Sequence, residues 1–65
     1  MINTNELIKY IREHYVGITS YTIDLLENII NYIDIVYVEE DKIKMLVEIL
    51  PEMTEREIEK FYEKE

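Results

Sequence analysis

The chain contains no cysteine, tryptophan, alanine or glutamine, and it has a single glycine, proline, histidine and serine. Without cysteine there is no disulfide and no thiolate metal site. With His14 as the only imidazole, the sequence argues against a structural zinc site, which is built from Cys and His. Basic side chains are also scarce: 7 against 15 acidic ones, for a formal net charge of -8. A field of that sign repels nucleic-acid phosphates and anionic membrane surfaces, and the basic patch expected of a nucleic-acid binder is missing. What the charge favours is solubility and attraction to basic protein surfaces. No uncharged apolar run reaches the ~18 residues a membrane span requires. The first fifteen residues, MINTNELIKYIREHY, show no charged-then-apolar signal architecture. A cytoplasmic location is the expectation.

Glycine and proline are so rare that the two present act as punctuation. Gly17 stands where a first helix would end in a left-handed residue, and Pro51 pushes the residue before it out of helical geometry. The stretch between them carries the strongest pattern in the chain. At about 100° per residue, residues 22–38, TIDLLENIINYIDIVYV, place Leu25, Leu26, Ile29, Ile30, Tyr32, Ile33, Val36 and Tyr37 on one side. Asp24, Glu27, Asn28, Asn31 and Asp34 fall on the other, and Ile35 and Val38 stray onto that polar side. This is the period of an amphipathic helix with an unusually wide apolar face.

The other elements are shorter. Residues 4–15 read as a helix with Asn3 as N-cap and Glu6 in the capping-box position. Leu7, Ile8, Tyr10, Ile11, His14 and Tyr15 share its apolar side, which makes His14 a core or interface residue. The connection that follows offers Thr19, Ser20 and Thr22 as caps for the central helix. So short a loop makes the two helices spatial neighbours, an outline shared with helix–turn–helix DNA readers.

After residues 39–42, EEDK, the segment IKMLVEILP admits two readings. As a strand it alternates Ile43, Met45, Val47 and Ile49, pairs with the end of the preceding stretch, and yields a helix–helix–β-hairpin, winged-helix-like fold. As a helix capped near Asp41 it gathers Ile43, Leu46, Val47 and Leu50 on one face. The helix is preferred: the strand turns Leu46 and Leu50 outward, and the turn lacks the glycine or asparagine that tight hairpins use. Thr54 and Glu57 form a second capping box, opening a last helix to about residue 64 with the narrow stripe Ile58, Phe61 and Tyr62. The expected fold is therefore all-α, one small domain over residues 1–65, with three to four short helices packed around a long central amphipathic helix.

Residues that could carry chemistry are few. Ser20 has no activating group in any recognisable motif, and Glu39, Glu40 and Asp41 lack the glycine and ligand spacing of a calcium loop. Carboxylate pairs that hydrolyse substrates need a cleft that four short helices can hardly enclose. No enzyme activity, cofactor or metal is expected. A chain of this length buries only ~60% of its unfolded surface, so oligomerisation or docking is the route left to stabilise it.

The expected interface is Leu25, Leu26, Ile29, Ile30, Ile33, Val36 and Tyr37, buried against a second copy in a homodimer. Glu52, Glu55, Glu59 and Glu63 form the candidate acidic surface for a protein partner with a basic face. The functional expectation is a small acidic regulator of inhibitor or adaptor type acting by protein–protein interaction. Twelve isoleucines and six tyrosines with no alanine point to an AT-rich genome, viral or mobile-element coding included. The alternatives are a winged-helix-like DNA-binding regulator and an acidic mimic of nucleic acid that blocks a DNA- or RNA-binding protein.

Overall fold

A computed structural model describes residues 1–62 of the chain. Four α-helices follow one another: α1 Thr4–His14, α2 Ser20–Val36, α3 Glu39–Ile49 and α4 Glu55–Glu59. Among the described residues there is no strand; an isolated antiparallel bridge joins Ile2 to Tyr62. The hairpin alternative is thereby overturned, since the Ile43–Ile49 stretch lies within α3. Helical geometry turns Leu46 fully inward and leaves the core to be completed by Leu50 just past the helix end.

The helix boundaries follow local chemistry. Asn3 caps α1 by accepting the Glu6 N–H at 3.3 Å. The reciprocal half of that capping box is replaced, because the Asn3 N–H donates to the carbonyl of Phe61 at 2.6 Å. Gly17 adopts φ 81, the left-handed conformation expected of it. Of the three candidate caps for α2, Thr19 is the one used; its hydroxyl accepts the Thr22 N–H at 3.1 Å. The start of α3 departs from the capping expected near Asp41: Val38 is the N-cap, and it offers no side-chain hydrogen bond. Glu39, Glu40 and Asp41 instead occupy the first turn, where carboxylates favour the positive end of the helix dipole. Leu50 leaves helical geometry directly before Pro51. Thr54 and Glu57 complete the second capping box in both directions, but α4 ends at Glu59, short of the expected extent. Residues 60–62 continue as tight turns, with the N–H of Phe61 bonded to the carbonyl of Ile58; residues 63–65 lie outside the described chain.

Helix α2 packs against α1 and α3, and α4 packs against α3. The core is apolar throughout: Leu7 and Ile11 from α1, Ile23, Ile30 and Ile33 from α2, Leu46 from α3 and Ile58 from α4 are all essentially inaccessible. Ile2, Leu50 and Met53 close its ends. The radius of gyration, 11.0 Å, is that of a well-packed chain of this length.

Candidate interaction surface

The wide apolar side of α2 divides into two faces. Ile30 and Ile33 are buried in the chain's own core, with Leu26, Ile29 and Tyr37 partly buried against it. Leu25 remains 47% exposed and Val36 53% exposed. Sequence reasoning placed all seven on one interface; the fold brings together only part of that set. The reason is geometric. Neighbouring helices reach one flank of an arc this wide, and the other flank stays in water.

Two tyrosines extend the uncovered flank. Tyr21 is 78% exposed and Tyr32 61%. With α2 turning about 100° per residue, Tyr21, Leu25, Ile29, Tyr32 and Val36 fall within an arc of roughly 80°, forming one stripe along most of the helix. Neither tyrosine was among the expected interface residues. The signal that finds Tyr32 is the alternating spacing of three and four residues through Thr22, Leu25, Ile29, Tyr32 and Val36, the a/d repeat of a helix that pairs with another helix; Tyr21 lies four residues before Leu25 and flanks that repeat. Ile35 and Val38, on the side expected to be polar, are exposed as well.

The stripe carries no charge. All three carboxylates of α2, Asp24, Glu27 and Asp34, point elsewhere around the helix, and α2 has no lysine or arginine. Asp34 is used internally. Its Oδ1 accepts from the Lys42 ammonium at 2.9 Å and from the Ile2 N–H at 3.1 Å. Burial pushes the Asp34 carboxyl upward, but the Lys42 and Ile2 bonds outweigh it and hold the group below its ordinary range.

The candidate acidic surface is real as exposure but mixed in sign. Glu52, Glu55 and Glu59 are exposed, and so are Arg56 within α4 and Lys60 just past its end; Glu63 lies outside the described residues. Glu57 is partly shielded, and its carboxylate accepts the Tyr10 hydroxyl at 3.1 Å. That bond, with the capping bond from Thr54, lowers the Glu57 carboxyl. A second exposed acidic group, Glu39, Glu40 and Asp41, crowns the first turn of α3.

Of the two places expected for His14, core or interface, the core is excluded. The ring is exposed and stacked on Tyr10 with ring centroids 4.0 Å apart. Its Nδ1 donates to the Tyr10 carbonyl at 3.0 Å. The Tyr15 and Tyr62 hydroxyls are buried and find no hydrogen-bond partner among the described residues. Burial, with Glu39, Asp34 and Glu59 nearby, pushes Tyr62 up to about 12.

Among the described residues no three His, Cys, Asp or Glu side chains gather as a metal site, and no helix is long and apolar enough to cross a membrane. The concavities at the α1–α2 turn, between Arg12 and Ile23, and beside Tyr10 and Phe61 are shallow and open. Comparison of the chain with protein-family models, with curated proteins and with solved structures finds no match.

Proposed function

We propose that this chain is a small acidic regulator, of inhibitor or adaptor type, that works by binding another protein and does so as a homodimer. The observation that carries the reading is the uncharged stripe of Tyr21, Leu25, Tyr32 and Val36 on α2, exposed in a chain whose remaining surface is dense in charge. Contiguous apolar surface on a small protein marks an interaction site, and tyrosine is favoured there for its large area and polar tip. In this reading α2 is the organising helix: one flank of its apolar arc closes the core and the adjoining flank assembles the protein. The carboxylates at Glu52, Glu55 and Glu59, and at Glu39, Glu40 and Asp41, then remain on the outside to meet a basic partner surface.

The other readings have less support. A winged DNA reader needs the hairpin that α3 replaces. The exposed carboxylates are interrupted by Arg56 and Lys60, which does not favour an imitation of a phosphate backbone. The reading is tested by affinity capture from the source cell with the native chain and with Glu52→Gln/Glu55→Gln/Glu59→Gln. A protein retained by the native chain, eluted by salt and lost from the variant supports an acidic docking surface. Retention that is indifferent to both salt and the substitutions contradicts it.

A further inference from the structure

We infer that α2 pairs antiparallel with α2 of a second copy of this chain, with Leu25 packed on the partner's Val36 and Ile29 on the partner's Tyr32. The inference deepens the self-association in the proposed function and rests on it.

The first support is the spacing. Thr22, Ile29 and Val36 occupy one repeating position and Leu25 and Tyr32 the other. The first set is β-branched throughout, and the two sets together form the apolar seam along which one helix packs on another. In this register an antiparallel pair places Leu25 and Tyr32 of one chain against Val36 and Ile29 of the other, with Thr22 beyond the last layer. Four successive layers result, each joining a small side chain to a larger one.

The second support is area. Exposures of 78% at Tyr21, 47% at Leu25, 61% at Tyr32 and 53% at Val36 leave roughly 500 Å² of surface per chain, so about 1,000 Å² for a pair in which the stripe is wholly covered. That is the size of a weak, reversible interface. Two chains of charge -8 each can approach closely only on an uncharged face, and this stripe is such a face. A basic partner would find no carboxylate on it to pair with.

The third support sets the direction. The first turn of α2 contains no acidic residue, whereas the next helix opens with Glu39, Glu40 and Asp41 immediately past the other end of α2. A parallel pair brings both acidic clusters to one end, six carboxylates together. The antiparallel pair separates them and sets each beside the partner's Tyr21 and the positive end of its α2.

The absence of native cysteine makes the test direct. Full-length Leu25→Cys and Val36→Cys chains are mixed and oxidised under equilibrating thiol exchange. The antiparallel pair predicts a Leu25→Cys/Val36→Cys heterodimer in several-fold excess over either homodimer, and the same preference for Ile29→Cys mixed with Tyr32→Cys. Homodimers in excess in both mixtures overturn the orientation while leaving self-association standing. Statistical or negligible cross-linking, with the unmodified chain monomeric by sedimentation, overturns the pairing and the homodimer together.

Discussion

The Lys42 ammonium and the Asp34 carboxylate meet at 2.9 Å with both side chains largely shielded from water. The pair spans the α2–α3 corner, and the same carboxylate oxygen receives the Ile2 N–H, so one acidic side chain ties three parts of the chain. Asp34 was legible from sequence as a polar-side residue of the central helix; its two partners were not, because they depend on how α3 and the N-terminus fold back.

Removing Asp34 strands two donors. Asp34→Ala is expected to cost about 2 kcal/mol, the range for hydrogen bonds to a charged group. Lys42→Met, which leaves the Ile2 bond in place, should cost roughly half of that. Urea denaturation of the two variants checks the order; equal losses would show that the Ile2 contact contributes nothing.

The acid limb of stability should follow the same carboxylate. Asp34 and Glu57 are lowered in the folded chain, so their contribution is present above the unfolded carboxylate range of about 4. It is lost as pH falls through their folded values. The unfolding midpoint should therefore drop steadily below about pH 4, and Asp34→Asn should flatten that fall. At the other extreme Tyr62, raised to about 12, contributes stability that is complete below the ordinary tyrosine value of about 10. It is lost as pH rises toward 12. Tyr62→Phe should remove part of the alkaline loss, measured by circular dichroism across pH.

The two faces of α2 should respond oppositely to the same substitution. Ile33 is 2% exposed and its sequence neighbour Tyr32 is 61% exposed. Ile33→Glu places a carboxylate in an apolar core and is expected to abolish cooperative folding. Tyr32→Glu should leave the helical spectrum intact. A folded Ile33→Glu chain would contradict the division of the apolar arc described above.

Much of this fold was readable because the signals are local. Caps at Asn3 and Thr54, the left-handed Gly17 and the stop at Pro51 each depend on a few neighbouring residues. The helical reading of α3 rested on where Leu46 and Leu50 would point. What escaped was set at longer range. Whether Ile33 or Tyr32 faces inward depends on which flank of α2 its neighbours cover. His14 stacks on Tyr10 at the surface, and Glu57 accepts the Tyr10 hydroxyl; neither contact is visible from composition or period.

The central claim is that the uncovered stripe of α2 joins two copies of the chain. Sedimentation equilibrium of the native protein, at tens of micromolar and across a salt series, tests it most directly. The account predicts a mass twice the chain's 7.9 kDa, with tighter association as salt screens the repulsion between two acidic chains. Leu25→Glu/Tyr32→Glu should sediment as a folded monomer. A native chain that stays a cooperatively folded monomer at every salt concentration would contradict the account.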